Sequence, residues 1–164
     1  MVFPEGPTFA VLDSLDASWP TDEPKRKLGS DRTPAGWRFL GYRFDDERVP
    51  TFRYLVGSVE IAETFSTRDW TERAFLKRRL VLRRTTDSRG GRDGRSLYLR
   101  VAVGKEIVAK DGKYVVDGRF VYRVRSTPES ASFVRHLESQ TELLTPIQSI
   151  STGAETSVEV ELEW

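Results

Sequence analysis

The chain of 164 residues carries 26 Lys and Arg against 25 Asp and Glu, and this net charge of +1 gives no overall reason to expect nucleic acid or an anionic membrane as a partner. A hydrophobic content of 38% with 31% charged residues is typical of a folded domain and excludes a disordered tail. Because the sequence has no Cys, it can form no disulfide, thiolate metal site, catalytic thiol or covalent c-type haem attachment.

Targeting signals are equally sparse in this sequence. No stretch approaches the roughly 20 consecutive apolar residues of a membrane helix, so we expect no membrane span. Residues Met1 to Ala10 lack the basic start and the long apolar stretch of a secretory signal. An exported form of the protein would therefore have lost its signal before this sequence begins.

The first 36 residues predict an irregular segment. A short apolar run, Phe9 to Leu12, precedes a stretch from Asp13 to Gly36 that is rich in Pro, Asp, Ser and Lys. Pro fixes φ and lacks a backbone donor, which argues against regular elements there. We expect this segment to cover a sheet edge or one end of the domain, with Trp19 buried as its anchor. Residues 1–36 would thus pack on a domain formed by residues 37–164.

From Trp37 onward, short β-prone runs alternate with Gly, Asp, Ser and Pro. The clearest run, Val158 to Trp164, alternates apolar residues with Glu, which predicts a strand with one buried and one wet face. Asp111-Gly112 and Asp117-Gly118 tolerate the positive φ of tight hairpin turns. The predicted strands are Trp37–Asp45, Thr51–Val56, Val59–Phe65, Phe75–Arg84, Leu97–Val103, Glu106–Ala109, Tyr114–Val116, Phe120–Arg125, Phe133–Leu137, Glu142–Ile147 and Val158–Trp164.

About eleven short strands without a helical period between them indicate an all-β fold, an antiparallel two-sheet β-sandwich. One closed sheet is the alternative that the strand pattern leaves open. Period-2 placement also predicts that nine apolar residues are mostly buried in one contiguous core. These residues are Leu80, Leu82, Leu97, Leu99, Val101, Val124, Val158, Val160 and Leu162.

Charge is distributed unevenly along the strands. Residues Arg73 to Arg95 hold nine basic groups and two Asp, whereas the sequence after His136 has six Glu and no Lys or Arg. Opposite charges on neighbouring strands stabilise a sheet by about 0.2–1 kcal/mol per pair, so we interpret the asymmetry as structural. A phosphate-binding patch around Arg89 to Arg92 is the alternative. We expect the carboxylates of Glu159, Glu161 and Glu163 to lie near Lys77, Arg79 and Arg83.

Aromatic residues interleaved with Arg crowd the two strands after Gly36. Strict alternation predicts that Trp37 and Phe39 lie on one face of the first strand, with Tyr42 and Phe44 on the other. This suits a central strand covered on both sides, and core packing is the default interpretation. The alternative is an exposed platform that stacks against sugar rings. The candidate ligand-binding residues of such a platform are Trp37, Tyr42, Arg43, Arg53 and Tyr54.

No catalytic motif is recognisable. No Ser lies in a nucleophile-elbow signature, and the single histidine, His136, has Glu138 and Glu142 nearby at no metal-ligand spacing. We therefore assign no catalytic residue, no metal site and no cofactor. An enzyme whose site is assembled from scattered Asp, Glu and Arg remains an alternative.

Several runs carry a further signal. Two of these runs are Trp37-Arg-Phe-Leu-Gly-Tyr-Arg-Phe-Asp45 and Pro50-Thr-Phe-Arg-Tyr54. The others are Leu80–Leu82, Leu97–Gly104, Gly112–Gly118, Glu142–Ile147 and Val158–Trp164, and, before Trp37, Gly6–Leu12 with Trp19-Pro20. Together they resemble a segment of large exported bacterial proteins that combine c-type cytochrome, haem-binding and sugar-dehydrogenase-like propeller modules. The hairpin before Pro50 reads Glu47-Arg-Val49, where we expect a Gly.

The resemblance implies an accessory β-sandwich in a periplasmic or secreted protein, with cytochrome or propeller modules as neighbouring partners. The haem of that family is held by Cys-x-x-Cys-His on a separate module, and without Cys this chain has no position to which haem attachment transfers. The leading hypothesis is a non-catalytic module that provides interfaces or ligand recognition. A free-standing carbohydrate-binding domain and an enzyme with a site not visible in the sequence are the alternatives.

Overall fold

The computed structural model describes residues 8–20, 37–67, 75–85, 96–148, 150 and 153–164, and every regular element among them is a β-strand. All eleven predicted strands are present, and residues 9–12 of the predicted irregular segment form a further one. The strands are β1 (Phe9–Leu12), β2 (Trp37–Phe44), β3 (Pro50–Val56), β4 (Val59–Thr67), β5 (Phe75–Arg84), β6 (Ser96–Gly104), β7 (Ile107–Lys110), β8 (Lys113–Val116), β9 (Phe120–Thr127), β10 (Phe133–His136), β11 (Thr141–Ile147) and β12 (Glu155–Glu163).

The strands form two open antiparallel sheets, which confirms the sandwich prediction over a single closed sheet. The small sheet has the order β1-β6-β11-β10, and the large sheet has the order β2-β3-β4-β5-β12-β9-β8-β7. Successive hairpins build the two halves of the large sheet, β2 to β5 and β7 to β9. Strand β12 joins these halves by pairing with β5 on one side and β9 on the other.

One core lies between the facing, inner sides of the sheets. Leu80, Leu82 and Val158 of the large sheet and Leu99 and Leu143 of the small sheet are fully buried within it. Burying such a side chain is worth about 1.5–3 kcal/mol relative to exposing it. The predicted core is therefore largely confirmed: the buried members of the predicted set are Leu80, Leu82, Leu99, Val101, Val158, Val160 and Leu162, while Leu97 and Val124 are partly buried against the same cluster.

The outer face of the large sheet pairs charges across strands, as the asymmetry predicts. Lys77 Nζ lies 2.9 Å from Glu159 Oε2, as predicted, and Arg79 lies opposite Glu159 in the register. Arg83 Nη2 lies 2.6 Å from Oε2 of Glu155, which was not among the predicted partners. Such exposed pairs stabilise a fold by at most about 1 kcal/mol each, so they chiefly favour this strand register. Residues 86–95, which include the predicted phosphate-binding patch, lie outside the described part of the chain.

The prediction missed one basic partner of β12. Glu161 and Glu163 lie 3.7 and 3.8 Å from the guanidinium group of Arg123 on β9, which the prediction did not include. Strand β12 is thus an acidic strand between two basic ones. The sequence shows the charges but not which strands are neighbours, because β12 pairs with two strands, β5 and β9, that are distant from each other in the sequence.

The hairpin between β2 and β3 explains how the chain turns without the expected Gly. Arg48 adopts a φ of +62°, a left-handed conformation that Gly enters more easily. The Asp45 side chain supports this turn, because its Oδ1 accepts a hydrogen bond of 2.8 Å from the Val49 amide.

The segment after β1 covers the outer face of the small sheet. Trp19 is 2% exposed, which confirms its predicted role as an anchor. The Arg100 guanidinium carbon lies 4.7 Å from the centre of the Trp19 ring. Residues 21–36 lie outside the described part of the chain. The buried residues that pack with Trp19 are Ala10, Leu12 and Leu144.

A charged group lies buried beneath this cover. Glu142 is fully buried, and its carboxylate contacts Arg100 Nη1 at 3.1 Å and Arg135 Nη2 at 2.6 Å. Arg135 Nη1 also donates hydrogen bonds of 2.8 Å to the carbonyl oxygens of Leu15 and Ala17. The segment that covers the sheet is therefore held by the charged group that it buries. Burial lowers the pKa of Arg100, while the contact with Glu142 opposes that change.

Candidate functional site

The large sheet extends beyond the small one. Its buried apolar residues in the described chain belong to β4, β5, β7, β8 and β12, and none belongs to β2 or β3. Strands β2 and β3 instead continue the inner face past the covered region. Phe39, Tyr42 and Phe44 of β2 are 47%, 60% and 59% exposed. Contiguous exposed apolar surface of this kind marks interaction sites in soluble proteins.

A β-bulge decides which side chains of β2 share this inner face. Phe39 pairs with Tyr54, the register shifts at Leu40, and Tyr42 pairs with Phe52. Phe52 and Tyr54 lie two residues apart on β3 and so point to the same side, which places Phe39 and Tyr42 together. The prediction that Phe39 and Tyr42 occupy opposite faces was wrong, because strict alternation does not hold across a bulge.

The sequence carries a signal for this bulge. Gly41 directly follows the extra residue and has a φ of +110°, a conformation that side-chain-bearing residues rarely adopt. A Gly inside an otherwise β-prone aromatic run is a recognised mark of a bulge. The alternation of side chains along β2 is therefore interrupted before Gly41, and counting it afresh from Gly41 gives the observed faces.

Six aromatic side chains of β2, β3 and β4 form the surface that we call the aromatic face. Neighbouring ring centres lie 5.4 to 6.2 Å apart, and the ring planes are tilted by 45 to 79°. Tilted and edge-to-face pairs are favourable arrangements for aromatic rings, but they do not build one flat platform. The members of the aromatic face are Phe39, Tyr42, Phe44, Phe52, Tyr54 and Phe65.

A polar centre borders the aromatic face on its covered side. Glu63 of β4 is 5% exposed and forms an ion pair with Arg78 of β5. The Arg78 guanidinium carbon also lies 6.0 Å from the centre of the Phe65 ring. Burial, the charge of Glu63 and a hydrogen bond to that carboxylate raise the pKa of Tyr54 to about 12. Tyr54 is therefore a protonated hydroxyl donor at neutral pH.

Three of the predicted ligand-binding residues lie on β2 and β3 at this surface or at its margin. Tyr42 and Tyr54 are members of the aromatic face. Trp37 begins β2 and pairs with Val56, and its side chain lies outside the described residues.

The two predicted arginines lie on the opposite face of the sheet. Arg43 pairs with Thr51, which lies two residues from Arg53 on β3, so both Arg side chains point outward. Arg53 is engaged there with Glu60, at 2.6 Å. The structure therefore divides the predicted set between the two faces of the sheet.

Sequence reasoning missed Glu63 and Arg78. Both stand at inward positions of otherwise apolar period-2 patterns, Glu63 between Ile61 and Phe65 and Arg78 between Leu76 and Leu80. A charged residue at an inward position requires a partner, because an unpaired buried charge is costly. Two such positions of opposite sign on adjacent strands were the available signal for this site.

The described residues contain no group of three or more His, Asp and Glu that could hold a metal ion. His136 lies on β10, with its Nδ1 3.3 Å from Thr141 Oγ1. What the aromatic face offers to a ligand is ring stacking, apolar contact and the bordering charges of Glu63 and Arg78.

Compared with protein-family models and with curated proteins, the chain matches none. Among the described residues, no helix is both long and apolar enough to span a membrane.

Proposed function

We propose that this chain is a non-catalytic recognition module, and that its aromatic face contacts a neighbouring domain of a larger exported redox or sugar-processing protein. The observation that carries the proposal is the exposure of Phe39, Tyr42 and Phe44 on the inner side of a sandwich. Aromatic residues are enriched at protein interfaces, where their apolar area and rigid rings favour binding. The resemblance supports cytochrome or propeller modules in a periplasmic or secreted protein as the neighbours.

The available area is sufficient for docking within one protein. A large aromatic side chain buries about 150–250 Å², so three half-exposed rings leave roughly 300 Å² to be covered. At about 25 cal/mol per Å² this corresponds to ~7 kcal/mol before the costs of association. A domain joined to this one by a linker pays less of those costs, because its effective concentration is high.

Photo-crosslinking in the natural gene product tests this proposal. A benzophenone amino acid replaces Tyr42, and the matched control places it at Val108, which is 46% exposed on β7 at the other edge of the same sheet. We expect crosslinks from position 42 to map to a single neighbouring module, and none of that kind from position 108. Equal, scattered crosslinks from both positions, or a natural gene product without further modules, would sink the proposal.

Carbohydrate recognition is the second candidate, and the polar centre favours it. Sugar rings combine a stacking face with hydroxyl groups that accept and donate hydrogen bonds, and charged planar groups bind hydroxyl pairs strongly. Arg78, whose side chain is 17% exposed, provides such a group next to the exposed rings, and the buried Glu63 holds it in place. A glycan array with the wild-type protein and with Tyr42→Ala and Val108→Ala tests it. A glycan signal that only Tyr42→Ala abolishes would support sugar binding, and a signal that both variants retain would contradict it.

A further inference from the structure

Four basic side chains on the outer face of the large sheet form ion pairs with carboxylates of adjacent strands, and Arg79 and Arg125 lie opposite Glu159 in the strand register. The pattern runs from β9 through β12, β5 and β4 to β3, where basic and acidic strands follow each other. Opposite charges on adjacent strands stabilise this order of strands relative to orders that place like charges side by side. The pairs and their distances are Arg123–Glu161 at 3.7 Å, Lys77–Glu159 at 2.9 Å, Arg83–Glu155 at 2.6 Å and Arg53–Glu60 at 2.6 Å.

Strand β2 breaks this pattern. Arg38 and Arg43 are exposed, and neither forms an ion pair with a carboxylate of the described residues. Five residues apart, they would point to opposite faces of a regular strand. The bulge at Leu40 turns both outward, since Arg38 pairs with Leu55 and Arg43 with Thr51. The outer face of β2 therefore carries two positive charges that no carboxylate of the described residues pairs with.

Strand β2 also stands at the edge of the sheet. In the described part of the chain its only strand neighbour is β3. An edge strand presents backbone N–H and C=O groups that another strand can pair with. Its inner side adds the exposed rings of Phe39, Tyr42 and Phe44. The edge thus offers main-chain hydrogen bonds between an apolar surface on one side and positive charge on the other.

We propose that β2 accepts an added β-strand from a protein partner, and that this strand alternates acidic with apolar residues. Its apolar side chains would cover the aromatic face, and its carboxylates would pair with Arg38 and Arg43. This inference rests on the proposed function, because it names the kind of segment that the neighbouring domain contributes. Addition of a strand to an exposed sheet edge is an established mode of peptide recognition.

The molecule contains an example of the strand that we describe. Strand β12 alternates Glu with Val and Leu, buries its apolar residues, and pairs with basic strands on both sides. A second copy of β2 would be a poor partner by contrast. In an antiparallel pair of two such strands, the Arg38 of one copy would lie opposite the Arg43 of the other, and like charges facing each other are destabilising.

Two labelled peptides and a charge-reversed protein test the inference. The first peptide has the sequence of Thr156 to Glu163, and the second replaces each of its Glu residues by Lys. The proteins are the wild type, the double variant Arg38→Glu with Arg43→Glu, and the control Lys110→Glu. Lys110 is exposed on β7, the opposite edge strand of the same sheet. Fluorescence anisotropy measures affinity, hydrogen exchange maps the amides that become protected, and circular dichroism checks that each variant is folded.

We expect the wild type and Lys110→Glu to prefer the acidic peptide, and the double variant to prefer the Lys peptide, with each preference amounting to about tenfold. Amides of residues 38–43 should exchange more slowly in the complexes. An unchanged preference in the double variant overturns the inference, as does binding without protection of β2. Protection of β2 by self-association of the wild type alone would also overturn it, because the occupant would then be a second copy.

The outcomes separate this inference from the function on which it rests. If neither peptide binds while position 42 still crosslinks to a neighbouring module, the aromatic face is an interface and the strand-addition model is wrong. If the charge-dependent preference reverses as expected but position 42 crosslinks to no module, the edge binds acidic segments and the proposed neighbour is wrong.

Discussion

Two buried charged groups lie among the described residues, one on each sheet, and their surroundings differ. Glu142 lies between Arg100 and Arg135 beneath a segment of the chain anchored by Trp19. Glu63 and Arg78 pair on the inner face of the large sheet, where the small sheet ends and the aromatic face begins. The first group is closed by its own chain. The second adjoins rings that are about half exposed.

This difference separates a structural use of buried charge from a use in recognition. Around Glu142 the guanidinium groups also bind backbone carbonyls, so the charges organise the segment that covers them. Around Glu63 no corresponding segment of the described chain is tied down in this way. The chemistry of the two groups is alike, and what distinguishes them is whether the protein itself completes the cover.

The largest loss of stability is expected when the carboxylate of Glu142 is removed from between Arg100 and Arg135. Glu142→Ala leaves two buried guanidinium groups without their carboxylate, and breaking a buried pair by removing one partner costs about 3–5 kcal/mol. Urea unfolding measures this loss against the exposed control Glu155→Ala, for which at most about 1 kcal/mol is expected. Equal, small losses in both variants would show that water reaches Arg100 and Arg135 readily, and the contrast between the closed and open groups would disappear.

A smaller loss is expected at the open group. Glu63→Ala should cost about 1–3 kcal/mol, because the Arg78 side chain is 17% exposed and can turn its charge toward water. The same urea titration measures it. A loss as large as that of Glu142→Ala would mean that Arg78 is as trapped as Arg100, and the recognition role of the open group would lose its basis.

The titration of Tyr54 sharpens the comparison on the alkaline side. Its folded pKa of about 12 lies above the ordinary value of 10.0, so its contribution to stability is complete below pH 10 and is lost as the pH rises from about 10 to about 12. The ultraviolet difference titration between wild type and Tyr54→Phe should show a midpoint near 12. Tyr114 and Tyr122 also have raised pKa values, but both the wild type and Tyr54→Phe contain them, so their titration cancels in the difference. A midpoint near 10 would remove the link between Tyr54 and Glu63.

The smallest effect on stability is expected at the exposed rings. Tyr42→Ala should change the free energy of unfolding by no more than about 0.5 kcal/mol, as for other exposed positions away from special features. Phe→Ala in a packed core costs about 3–5 kcal/mol instead. A loss in that range, measured by thermal unfolding of the isolated chain, would mean that Tyr42 is covered by its own protein and is not available to a partner.

Strand positions were predictable from the sequence because they depend on local patterns. Alternating residues from Val158 onward and Asp-Gly turns at 111–112 and 117–118 mark elements without reference to the rest of the fold. The position of β12 between β5 and β9 was not predictable in the same way, since it depends on pairing between distant segments. At the candidate site, the aromatic pattern named Tyr42 and Tyr54, which the structure places on one face, while the bulge brings Phe39 to their side and ordinary alternation puts Arg43 on the other face.

The position of β12 has a consequence for how the large sheet assembles while the chain is being synthesised. Until the ribosome has released residues 155–163, the large sheet can exist only as two unjoined hairpin arrays, β2–β5 and β7–β9. Their inner edge strands, β5 and β9, are both basic, so electrostatic repulsion opposes their direct union in the nascent chain. Strand β12, which follows both in chain order, carries the negative charge that pairs with them. The charge pattern therefore disfavours pairing of β5 with β9 before β12 is available, when exposed strand edges are most prone to mispairing.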